Sequence, residues 1–261
     1  MKTLFLILLI TPAIFVSKEA RKGISDYSTN ENTSGTIVYE EMIKFNIELN
    51  DDNAAFADMM PKESKSEKLL YFNSEKSLYM TPEKEDTEDD VIQSESGDMQ
   101  VMIEIQQPEE IFFCDLLYKK TVEQREFMTR QFLIEDDMKE FSWKILDEQG
   151  SIIGLPYQTA LHITEEGDSV LAWFTPNIPV STGPAGFNGL PGLILKISMD
   201  NGDFTITATS VSFDEFDEKV LKQPSKGKKV TRDEFKSIVE EKTKEMGGEG
   251  GENQIIIQIE N

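Results

Sequence analysis

The sequence predicts a mainly β protein: a single large curled antiparallel sheet, an open-barrel-like meander, with one C-terminal helix and one short helix or lid. Two observations lead there. Apolar and polar residues alternate with period two along much of residues 35–213, the mark of strands with one buried face. Between those runs the sequence offers no helical pattern of the length a βαβ crossover needs, so helix-linked parallel pairing is excluded.

In order, Ile37, Tyr39 and Glu41 oppose Val38 and Met42, and Phe45, Ile47 and Leu49 alternate with Asn46, Glu48 and Asn50. Leu69–Phe72 and Ser77–Thr81 flank Asn73–Lys76, a hairpin arrangement. Val101–Gln106, Ile111–Cys114 and Glu126–Glu135 follow, the last placing Phe127, Phe132 and Ile134 among polar residues. Trp143, Ile145 and Asp147 alternate with Lys144 and Leu146 up to a turn expected at Gly150, beyond which Ser151–Leu161 resumes. Ser169–Thr175 reads as a central strand. Leu193–Ser198 and Phe204–Phe213 close the series across Asn201-Gly202, a strong hairpin signal. The short helix or lid is placed at Asp51–Met60, between an acidic start and Pro61. The C-terminal helix is placed at Thr231–Met246. Thr231 and Glu234 form a T-x-x-E capping box there, and Phe235, Ile238, Val239 and Met246 share one face. Ile255–Ile259 reads equally as a last edge strand or a frayed end.

The N-terminus reads as an export signal. Lys2 precedes the apolar run Leu4–Val16, which is broken by Pro12 and shorter than the roughly 20 residues a helix needs to cross a bilayer. The expected organisation is a signal peptide over 1–20, a polar linker over 21–34, a β-rich domain over 35–246 and a flexible tail over 247–261. The mature protein is expected in the periplasm, in the cell envelope or secreted, with no membrane-spanning segment.

Composition excludes several chemistries. With 26 basic against 49 acidic residues and a formal net charge of −23, nucleic acid is not an expected partner. One Cys and one His cannot build a disulfide, a Cys-rich zinc site or an iron–sulfur cluster. No cofactor or metal is expected. The acidic run Glu83–Asp90 lacks calcium-loop spacing and reads as a solvated loop. The methionine groupings Met59-Met60 and Met99/Met102 read as core filler rather than soft-metal ligands. Cys114, set among Phe112, Phe113 and Leu116, reads as buried and inert, and His162 as a surface or satisfied histidine rather than its dyad partner. No nucleophile–base motif is present, and no catalytic residue is expected.

The most informative stretch is Ala172–Leu195. Gly183, Gly186, Gly189 and Gly192 recur every third residue beside Pro184 and Pro191, between two apolar strands. Three triplets cannot sustain a collagen helix. Glycines permit positive φ and close approach, prolines fix φ, and the result is a stiffened loop. Leu190 and Leu193–Leu195 then enter the core. The spacing favours a structural corner; the rim of a binding groove stays open.

These residues carry a resemblance. The chain resembles the GLPGLI (Porph_ging) family of exported Gram-negative bacterial proteins, whose motif stands intact at Gly189–Ile194. The similarity extends to Ala172–Thr175, Ile178-Pro179, Gly183-Pro184, Phe127–Thr129, Phe132–Ile134, Trp143–Ile145 and Lys226–Lys228 with Thr231–Phe235. Where the family commonly has a Cys after the Trp-Lys segment, Tyr157 stands here. The resemblance implies export, a β-rich single domain and an envelope role of unknown chemistry, and it carries over no catalytic residue.

Three functions are left. The first is a non-catalytic binding or carrier-like module for an unknown hydrophobic ligand, with Trp143, Trp173, Phe174 and Phe187 as apolar lining. The second is a protein-interaction accessory of outer-membrane (TonB-dependent) uptake systems, bound to an envelope protein. The third, least expected, is a hydrolytic enzyme.

Overall fold

The computed structural model describes residues 32–44, 62–82, 91–96, 99–104, 110–165 and 167–248. They belong to one folded unit, Asn32–Asn261. The expected leader, the Phe45–Asn50 alternation, the expected helix or lid at Asp51–Met60, the Met59-Met60 pair, the acidic run and the Ile255–Ile259 stretch all lie outside the described residues.

The strands are β1 (Gly35–Lys44), β2 (Glu63–Phe72), β3 (Lys76–Met80), β4 (Val91–Ser96), β5 (Met99–Glu104), β6 (Glu110–Asp115) and β7 (Lys120–Phe127). They continue as β8 (Arg130–Asp137), β9 (Lys144–Ile152), β10 (Leu155–Ile163), β11 (Ser169–Thr175), β12 (Leu193–Met199), β13 (Phe204–Ser212) and β14 (Lys228–Val230). Among the described residues one α-helix, α1 (Arg232–Gly248), follows. β4 and β5 pair only with each other, and the remaining twelve form one sheet in the order β14-β8-β7-β6-β3-β2-β1-β13-β12-β11-β10-β9.

The sheet is two meanders joined back to back. The chain steps outward from β1 to β8, crosses to the opposite edge at β9, and steps inward until β13 lies against β1. β14 then returns to the first edge and pairs with β8 in parallel, making a mixed sheet of what the sequence predicted as purely antiparallel.

This path forces the sheet to roll. Ten strand spacings separate β8 from β9, roughly 48 Å if the sheet lay flat. The connection from Asp137 to Lys144 can reach only about 24 Å. The two edges therefore approach each other, and the sheet is curled without being closed.

Cross-strand register assigns the inner face. One row runs Ile37–Leu70–Tyr79–Phe112–Glu123–Ile134–Val230, and the next runs Ala208–Tyr39–Lys68. The main core cluster joins Ile37, Tyr39, Leu70, Phe72 and Tyr79 to Leu193, Leu195, Phe204 and Ile206, together with Ile178 and Val180 from the β11–β12 loop. On the outer face, Leu78, Phe113, Val122 and Leu133 pack under Phe216, Val220 and Leu221, the return segment to β14.

The capping box forms as the sequence predicts: Thr231 N–H donates to Glu234 Oε2 at 2.9 Å and Glu234 N–H to Thr231 Oγ1 at 3.1 Å. Phe235 and Val239 bury against Phe132, Ile134 and Val230, so α1 covers the sheet beside β8. Three elements differ from the sequence expectation. Gly150 lies within β9 and the hairpin turns at Ile153-Gly154. Glu126–Glu135 is divided by a turn at Met128-Thr129, both at positive φ. β7, too polar to read as a strand, is an interior strand between β8 and β6 and buries Thr121, Val122, Glu123 and Gln124.

Candidate functional site

The Gly/Pro loop between β11 and β12 runs across the inner face. Its backbone is tied to itself and to β12: Val180 N–H bonds Ile178 O at 2.8 Å, Thr182 N–H bonds Val180 O at 2.9 Å, and Ile194 N–H bonds Thr182 O at 3.0 Å. Bonds to the second residue back are tight γ-type turns, short enough for a loop that must stay buried. Pro184 opens a single 3-10 turn through Gly186, where φ is +79°.

Across the loop, contacts reach the far side of the roll. Thr182 and Ser77 of β3 share a hydrogen bond at 2.8 Å between hydroxyls that are both buried. A Cβ on Gly186 would stand 2.3 Å from the Phe112 ring of β6, and one on Gly183 would stand 2.7 Å from Ile194 Cβ. Tyr39 O–H donates to Ile194 O at 2.6 Å. Ile178, Val180, Phe187 and Leu190 are buried, while Gly189 and Pro191 surface between them. Gly192 is buried at φ +152°, and a Cβ there would fall 2.1 Å from Thr175 O. The loop is thus a plug: the concave face is filled by the chain itself.

The four aromatic residues of the expected lining separate. Phe174 and Phe187 are buried in one cluster with Ala160, Ala172, Leu190 and Ile194, and Phe141 and Trp143 pack over it from the β8–β9 connection. Trp143 Nε1–H donates to Asn188 O at 2.7 Å, and Asn188 Nδ2 donates to Lys139 O and Gly186 O, which pins that connection to the plug. Trp173 alternates with Phe174 onto the outer face, opposite Lys196, whose Nζ lies 4.8 Å from the ring centroid.

A second constellation went unseen in the sequence. Between the plug and α1, the inner face carries Glu41, Lys68, Glu110, Arg125 and Glu123, reached by Arg232 from α1. Register brings them together: Glu110 opposes Arg125, and Glu123 sits one inner-face position along β7. Arg125 bonds Glu110 through Nε and Nη2, and its Nε lies 2.6 Å from Glu123 Oε1, an ion pair whose N–H points at Glu110 instead. Arg232 Nη2 donates to Glu123 Oε2 at 3.0 Å. Burial works against the Arg125 charge, yet Glu110 and Glu123 outweigh it and hold its pKa above the ordinary value. Glu41 is raised, by burial first and by Glu110 further, against the lowering effect of Lys68. Tyr79, which donates to Glu41 Oε2 at 3.3 Å, is raised well above its usual range by burial and by that carboxylate. The only sequence signal for this cluster was polar residues where a strand's core face should be apolar.

Cys114 is buried, bonded to Ser77, and desolvation pushes its thiol up to about 12, so it is protonated and inert at neutral pH. His162 lies on β10, seven positions from β6 in the sheet, with its Nδ1 3.2 Å from Ser142 O. The two do not meet. Among the described residues no group of three His, Cys, Asp or Glu could hold a metal ion. Met99 and Met102 lie on β5. No helix among the described residues is long and apolar enough to cross a membrane. Two open depressions, of about 420 Å³ beside β14 and α1 and about 400 Å³ beside Lys76 and Leu221, include no residue of the plug.

Residues 117–196, from the β6–β7 turn through the whole plug into β12, match the model of the Porph_ging family, described as a protein of unknown function. The match covers less than half of the chain, and that stretch is similar to the family. No curated protein matches the sequence at a significant level. Two structures of PNGF-II, in space groups C2 and P21, superpose with a TM-score of 0.50 at 16% identity, over 79% of this chain and 32% and 33% of theirs. The chain therefore spans about a third of the PNGF-II length, and the likeness is one of fold. An uncharacterized conserved protein from Thermus thermophilus superposes with a TM-score of 0.38 at 5% identity, over 77% of this chain and 91% of its own.

Proposed function

We propose that this chain is an exported, non-catalytic envelope binding module that recognises its partner from outside the rolled sheet. The observation that carries the reading is the plug. A carrier needs an apolar cavity, and here the concave face holds Ile178, Val180, Phe187 and Leu190 of the chain's own loop. Export is supported by the Lys2–Val16 leader pattern, and a non-catalytic role by the buried, protonated Cys114 and its separation from His162. An envelope protein is thus favoured over a hydrophobic small molecule as the ligand.

Native mass spectrometry of the chain purified from its own envelope fraction tests this. The expected result is a mature chain lacking its first 20 or so residues and carrying no lipid. A stoichiometric co-purified lipid overturns the reading in favour of the carrier.

A further inference from the structure

The β9–β10 hairpin outruns the sheet that holds it. β10 pairs with β11 only from Gln158, opposite Phe174, to Ile163, opposite Ser169. Its pairing with β9 continues to Leu155, opposite Ile152. Residues 150–157 are therefore a two-stranded ribbon beyond the last β11 rung, and two strands alone are marginal in water. Pro156 offers no N–H toward the missing neighbour. Gly150 faces Tyr157, whose hydroxyl would lie 2.6 Å from a Cβ at 150, so the ring roofs the glycine and stiffens the ribbon internally.

At its tip the ribbon is strained. Ile153 (φ +48°) and Gly154 (φ +79°) make a two-residue turn with both central residues left-handed. Glycine and asparagine accept that conformation; a β-branched isoleucine does so at a cost. The same isoleucine, with Ile152 and Leu155, packs half-buried against the main core cluster, of which Ile178 and Val180 of the plug are members. Strain in the turn and burial of three side chains thus oppose each other at one point, where no third strand contributes.

We infer that residues 150–157 form a flap, hinged at the Gln149–Gln158 pair, that swings as a unit and uncovers the apolar core that includes part of the plug. This stands apart from the binding reading above, since the flap moves whether or not a partner is present. The test is a pulsed electron resonance distance between nitroxides at exposed Ser151 on the ribbon and exposed Ser210 on β13, with Cys114→Ala in the background. Expected is a second distance population, displaced by 10 Å or so from the closed one given the ribbon's length, whose weight rises at least fivefold in Leu155→Ser. Ile152→Ser repeats the test should the first variant lose its native circular dichroism. A single narrow distance common to wild type and variants, or two populations whose weights the variants leave unchanged, overturns the inference.

Discussion

Glu41 and Arg125 lie a few strands apart on the same inner face, and the fold favours the protonated form of both, a neutral carboxyl at one and a cation at the other. The folded chain holds the Glu41 proton more tightly than an unfolded chain, whose carboxyl titrates near 4.5. Stability from this group is therefore present below that pH and is lost as pH rises through the folded pKa. Glu41→Gln keeps an acceptor for Tyr79 and removes the loss. The variant is expected to be more stable than wild type at pH 7 in urea titration, with the advantage shrinking toward pH 4; an advantage independent of pH would contradict the assignment. At Arg125 the proton held is a positive charge, and removing that cation leaves Glu123, 1% exposed, with Arg232 alone. Arg125→Met is expected to cost about 3 kcal/mol, the penalty of uncovering a buried charge. The glycines of the motif differ in kind. Gly189 sits at φ +89° with space around its Cβ position, so Gly189→Ala pays only for the backbone, about 1–2 kcal/mol. Gly192→Ala meets Thr175 O as well and is expected to cost more than about 4 kcal/mol. With valine both positions are expected to fail to fold, and a folded Gly192→Val chain would remove the basis for the plug.

At the scale of elements, what the sequence displayed was whatever has a local cause. The capping box of α1 is visible because two side chains three residues apart each accept from the other residue's backbone N–H. Thr231→Ala is expected to cost about 1 kcal/mol, read as faster amide exchange confined to α1. β11 and β12 were legible from apolar runs bounded by turn residues, and the Asn201-Gly202 connection from residues that accept positive φ. β7 was not legible, because its inner face is Glu123 and Arg125, satisfied by β6 and α1 rather than by apolar neighbours. The turn at Ile153-Gly154 was hidden for a related reason. Isoleucine there is selected by packing against the core, overriding the turn chemistry that sequence reasoning uses, and Gly150, the more obvious breaker, is held inside β9 by Tyr157. β14 is three residues long and owes its strand pairing entirely to β8.

At the scale of the molecule, the curled sheet was foreseen from alternation, but its contents were not. Nothing in a Gly/Pro-rich loop announces whether it turns a corner outside a sheet or fills the space within one; that depends on β3 and β6, about 70–110 residues earlier in the chain. The short β8–β9 connection supplies the missing constraint, since it rolls the two edges together and encloses the loop. Both edges are also guarded. β9 is bulged opposite β10 around Thr159 and carries Asp147 and Glu148, and β14 offers only three residues, so edge-to-edge association is blunted. Recognition is accordingly expected through side chains on the outer faces, with the chain remaining monomeric in sedimentation at micromolar concentration. The claim on which all of this turns is that the loop crosses the roll and touches β3. Ser77 and Thr182, 105 residues apart with hydroxyls 2.8 Å from each other, place it within reach of a disulfide. In a Cys114→Ala chain carrying Ser77→Cys and Thr182→Cys, mild oxidation of the folded protein is expected to consume both thiols and raise the unfolding midpoint. Two free thiols persisting in a natively folded chain would contradict the account.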